Sequence, residues 1–123
     1  MISNRCMIAL AACVELAERA APTTIPEIAE GTGVSASYME QIFSQLKDAG
    51  IVKGIRGPGG GYVLADKARR ISVLNVVLAA ARERKRPEGT NEHPAITLLM
   101  HQIESVMAEI GLSDLTVPAQ VAA

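Results

Sequence analysis

Arg56-Gly57-Pro58-Gly59-Gly60-Gly61-Tyr62 lies between two short runs of β-favouring residues, Ile51-Val52 before it and Tyr62-Val63-Leu64 at its end. Glycine and proline between such runs supply the backbone angles of a tight turn, so a two-stranded antiparallel hairpin is expected here. Arg56 stands where the first strand enters the turn. Its side chain is expected to project from the tip beside Gly57 and Gly59, where missing side chains let the backbone approach a partner. Two other readings compete. A phosphate-cradling loop needs Gly-Lys-Ser/Thr and a following helix, whereas a strand follows Gly59-Gly60-Gly61. A plain glycine-rich surface turn stays open on these residues alone.

The residues upstream decide what kind of hairpin this is. Thr24-Ile25-Pro26-Glu27 has the pattern of a capping box with proline in the first turn, which predicts a helix from about Ile25 to about Gly31. A second helix should start at Ser35 as N-cap. Val34 and Met39 are spaced as a hydrophobic staple, and Gly50 takes the left-handed residue that ends the helix. Gly31-Thr32-Gly33 between the two is a tight connection of helix-turn-helix type. On the second helix Met39, Ile42, Phe43, Leu46 and Ala49 recur at helical spacing and are expected to face inward. Ser35, Ser37, Tyr38, Glu40, Gln41 and Ser44 are left outward or at the amino end. A recognition helix offers just such short hydrogen-bonding groups at its N-terminus to base edges and phosphates. Gln41 can pair with adenine, and Glu40 can accept from cytosine. The hairpin then reads as the wing of a winged helix-turn-helix.

Charge points the same way. The chain carries a formal net charge of −1, yet residues 47 to 86 hold Lys47, Lys53, Arg56, Lys67, Arg69, Arg70, Arg82, Arg84, Lys85 and Arg86 against only Asp48, Asp66 and Glu83. A basic region on an otherwise acidic chain suits an acidic polymer, although Arg82 to Arg86 also fits a solvated linker.

Together Ile28-Ala29-Glu30, Gly33-Val34-Ser35, Ser37-Tyr38-Met39-Glu40-Gln41-Ile42-Phe43, Leu46, Ala49-Gly50-Ile51-Val52 and Arg56 to Ala65 resemble the Rrf-two (IscR/NsrR-type) family of bacterial transcription regulators. The likeness covers nearly the whole chain. It implies a homodimer that binds palindromic operators in double-stranded DNA, with Ser35, Ser37, Tyr38, Glu40 and Gln41 toward the major groove and Arg56 toward the minor groove. Many members hold an iron–sulfur cluster through three cysteines just before the long C-terminal helix, and no cysteine follows Cys13 in this chain. A lone His93 at that place cannot replace thiolates. The resemblance therefore implies a member with no cofactor, sensing through a small molecule or partner protein, and action as a repressor is the corresponding expectation.

Cys6 and Cys13 lie seven apart in a segment that reads as one amphipathic helix to about Ala20, so about 10 Å separates them, beyond disulfide reach. Burial as small apolar residues is the main expectation. Cys6, beside Arg5, is the candidate if either thiol is redox-active. Leu10-Ala11-Ala12-Cys13 resembles a lipoprotein cleavage box, but Cys6 to Ala12 is a minimal apolar segment for a signal peptide, and no other apolar run approaches a membrane span. A cytoplasmic location is expected.

Hydrophobic residues make up 49% of the 123, rich for a monomer of this size. The segment from about Pro94 to Gly111 places Ile96, Leu99, Ile103, Val106 and Ile110 at alternating spacings of three and four, a seam of about two heptads suited to dimerisation or to packing on its own domain. Ser72 should cap a helix from Val73 to about Arg82. The expected fold is mainly α with a small β-hairpin wing. Residues 1–82 form the winged helix-turn-helix domain, 83–92 a linker, and 93–123 a dimerisation helix and tail. Neither a catalytic triad pattern nor metal-ligand spacing occurs, so no enzyme and no metal site are expected. The competing reading is a winged-helix protein-interaction module that no longer binds DNA.

Overall fold

The computed structural model describes residues 2–19, 21–81 and 93–116. The proposed linker at 83–92, the basic run Arg82 to Arg86 and the tail from 117 lie outside the described residues.

Helix α1, Asn4–Glu18, starts at Ser3, whose side chain accepts from the Cys6 N–H. It buries Cys6, Ala9, Ala12, Cys13 and Leu16 along one face. Helix α2, Ile25–Thr32, opens on the expected capping box between Thr24 and Glu27 and closes on Gly33, whose φ of 74° is open to glycine at little cost. Helix α3, Ala36–Asp48, follows after three residues, its first turn capped by the Ser35 hydroxyl accepting from the Tyr38 N–H at 3.1 Å. It ends in a Schellman turn. Gly50 at φ 77° donates to the Lys47 carbonyl, and Ile51 donates to Leu46. Met39, Ile42, Phe43 and Leu46 are buried as the periodicity requires. Ala49 is not: it is the C-cap and exposed, because the helix stops one residue short of where the inward face would next return.

The hairpin pairs β1, Val52–Ile55, with β2, Gly61–Leu64, in antiparallel register. Its turn is closed by the Gly60 N–H donating to the Gly57 carbonyl, with Pro58 and then Gly59 at φ 72° as the central pair. That is type II turn chemistry. A two-stranded hairpin is marginal alone. This one gains a rung on the outer edge of β2, because Thr23 and Tyr62 exchange two backbone hydrogen bonds of 3.0 and 2.8 Å. The Tyr62 ring packs on Phe43, centroids 4.9 Å apart and planes at 52°. The wing is thus bonded to the entry of α2 and packed on the buried side of α3.

A 3-10 turn at Ala68–Arg70 leads to α4, Val73–Ala80, which opens on a capping box between Ser72 and Asn75 and ends two residues before the expected Arg82. Helix α5 spans Pro94–Glu109. The expected extension to Gly111 gives way to a bridge, in which Val73 donates to the Ile110 carbonyl and Leu112 to that of Ile71. Leu112, in a 3-10 turn at Leu112–Leu115, is thereby drawn into the core and fully buried, the turn packing on α1 and on the Ala68–Arg70 turn.

Candidate nucleic-acid interface

The amino end of α3 organises the site. Its unsatisfied N–H groups and the helix dipole favour anions there, and the Ser35 cap leaves Glu40 and Gln41 just past the first turn. Ser35, Ser37, Glu40, Gln41 and Ser44 are exposed, and Tyr38 is half-buried. Ser37, Glu40, Gln41 and Ser44 line an open cleft of about 480 Å³ together with Gln45 and with Arg5 of α1. Serines offer donor and acceptor, glutamine both, and glutamate an acceptor, so the cleft carries a mixed hydrogen-bonding surface rather than an apolar one.

Arg5 was not legible as part of this face. It lies forty positions from Gln45 in sequence, and its only local signal was its place beside Cys6. In the fold its Nε donates to Gln45 Oε1 at 2.9 Å, its terminal nitrogen reaches the same oxygen, and its guanidinium sits 5.5 Å from the centre of the Tyr38 ring. Arg5 is engaged with α3 rather than with Cys6. The Cys6 Sγ lies 3.6 Å from the Val77 carbonyl, and Cys6 is 2% exposed. Burial therefore runs against the reading of Cys6 as an accessible redox thiol. Cys13 is fully buried, and the loss of solvation pushes its thiol up to about 12.

At the wing, Arg56, Gly57 and Gly59 are all exposed at the mouth of the hairpin. Two glycines behind them are needed sterically. A side chain at Gly60 would stand 2.3 Å from the Ile55 carbonyl oxygen, and one at Gly61, where φ is 149°, would meet the Thr23 backbone at 2.5 Å. Lys53 is also exposed on β1.

The helix α5 has no buried residue, although it is largely apolar. Met107 and Ile110 pack against the domain core, and Ile103 is half-buried. Ile96, Leu99 and Val106 stay exposed, joined by Leu98, which the heptad reading did not include. The seam read from sequence thus divides between its own domain and an open face.

The Rrf2 family profile, described as "Iron-dependent Transcriptional regulator", matches residues 2–117. The chain belongs to the Rrf2 family. IscR of Escherichia coli is 46% identical over 66 residues, covering 54% of this chain and 41% of that protein, so the match spans less than half of the curated relative. The solved structure of T. potens IscR superposes with a TM-score of 0.80 at 30% identity, covering 94% of this chain and 85% of the other. CymR (YrzC), the global cysteine regulator of B. subtilis, gives 0.75 at 31%, covering 94% and 95%. Rrf2 proteins are transcriptional regulators and not enzymes, and the winged helix-turn-helix fold expected from the sequence is theirs. The residues do not fit the iron that the family description implies. The chain has two cysteines, both buried on α1, and among the described residues no three His, Cys, Asp or Glu side chains gather as a metal site. His93 instead caps α5, its Nδ1 accepting from the Ala95 N–H.

Proposed function

We propose that this Rrf2 chain is a cytoplasmic, homodimeric, cluster-free regulator that binds a palindromic operator in double-stranded DNA and acts as a repressor. The observation that carries the reading is the cleft at the amino end of α3, where Ser37, Glu40, Gln41 and Ser44 converge on one open polar surface. Such a surface, beginning at a positive helix end, suits base edges in a major groove. Arg56 at the wing mouth reaches an adjacent minor groove, whose negative potential attracts it. Domain limits of 1–82, 83–92 and 93–123 accompany this reading, with α5 as the dimer element. Repression needs only occupancy, since a dimer seated on its operator excludes other proteins from it. A small molecule or a partner protein supplies the signal.

Selection of bound fragments from genomic DNA tests the reading and yields the operator. On that operator, Arg56→Ala is expected to weaken binding by about 1–3 kcal/mol if the side chain contacts bases. Absence of any selected duplex would instead favour the winged-helix interaction module. Protein prepared without oxygen is expected to be colourless. Stoichiometric iron and sulfide with visible absorbance would overturn the cluster-free assignment.

A further inference from the structure

Three observations single out Arg5. Gln45 takes two of its five N–H groups, which ties the guanidinium to α3. The guanidinium also lies over the Tyr38 ring, 5.5 Å from its centre. The same residue lines the cleft that contains Ser37, Glu40, Gln41 and Ser44. Among the described residues Arg5 makes no ion pair, and its hydrogen bonds go to Gln45.

We propose that Arg5 is a DNA-contact residue on α1 that grips a backbone phosphate of the duplex read by α3. The inference rests on the DNA-binding reading above. A guanidinium held by a neutral amide and a ring keeps its full charge and its outward donors, and it costs little rotamer entropy to order on binding. Guanidinium donors match phosphate oxygens in geometry as well as charge. The tether makes the contact informative about register. Arg5 is bonded to Gln45, one turn beyond Gln41, so the phosphate it holds sets how far along the groove the reading residues lie. Glu40, of opposite sign in the same cleft, is suited to a base amino group and leaves the phosphate to Arg5.

The probe is a random-sequence duplex of about 30 base pairs, titrated over a range of potassium chloride by fluorescence anisotropy. Arg5→Gln can still bond Gln45 but carries no charge, whereas Arg5→Lys keeps the charge. With two protomers bound, Arg5→Gln is expected to reduce the slope of log affinity against log salt by about 1.8, from about 0.9 per phosphate contact, and Arg5→Lys to retain it. Circular dichroism melting reports that each variant is folded. An unchanged slope for Arg5→Gln overturns the proposal, as does an equal fall in slope for Arg5→Lys, which keeps the charge. Failure of the unmodified protein to bind any duplex overturns the DNA-binding reading and this inference together. Normal salt-dependent binding with an indifferent Arg5 overturns this inference alone.

Discussion

The double variant Leu99→Asp/Val106→Asp is expected to sediment as a folded monomer and to bind its operator about 10²–10⁴-fold more weakly. Leu99 and Val106 are 49% and 59% exposed in the single chain, so carboxylates there disturb little of the protomer's own packing. Within a dimer seam the same carboxylates would be buried without partners, at a cost of several kcal/mol each. The loss of affinity follows from geometry, because two recognition helices on one dimer make the second half-site encounter intramolecular. Ile103, central in the heptad, is a poorer probe, since it is half-buried within its own chain and its replacement would also unsettle the fold. A double variant that remains dimeric and binds normally would remove α5 from the dimer interface.

The second large effect concerns the wing. Gly61→Ala is expected to destabilise the protein by about 2–4 kcal/mol, through a left-handed backbone angle combined with a clash. At about 4 °C per kcal/mol for a chain of this size, the melting temperature should fall by about 10 °C. The atoms in the way are Thr23 backbone, 2.5 to 2.9 Å from the added Cβ, and no side-chain rotation relieves them. Gly59→Ala is the control. Its φ is 72°, but the space around it is open, so only the conformational cost of about 1 kcal/mol applies. Equal melting temperatures for the two variants would show that the Thr23 rung adds nothing to stability.

The sequence disclosed what local chemistry determines. Thr24 with Glu27, Ser35 as N-cap, Gly50 at positive φ, and Pro58-Gly59 in the turn each act within five residues, and each lies where its pattern implied. Long-range pairings had no such signature. Thr23 carries no strand pattern, yet it bonds Tyr62. Gly111 looked like a helix residue, yet it bridges to Ser72. Arg5 joins the candidate site only through tertiary contact with α3. Ala49 shows the opposite failure, in which a periodic pattern was carried past the residue where capping ends the helix. The placement of the polar face on α3 followed from helical period, while the division of the α5 seam depended on where α4 and the Leu112 turn meet it.

The rung between Thr23 and Tyr62 also fixes when entropy is lost. A free hairpin tip would have to be ordered as it met a ligand, and each immobilised segment would subtract from affinity. Here the strands of the wing are held by two backbone bonds to the entry of α2 and by the Phe43 ring before any encounter. The ordering cost falls on folding, and the wing meets its partner already in shape.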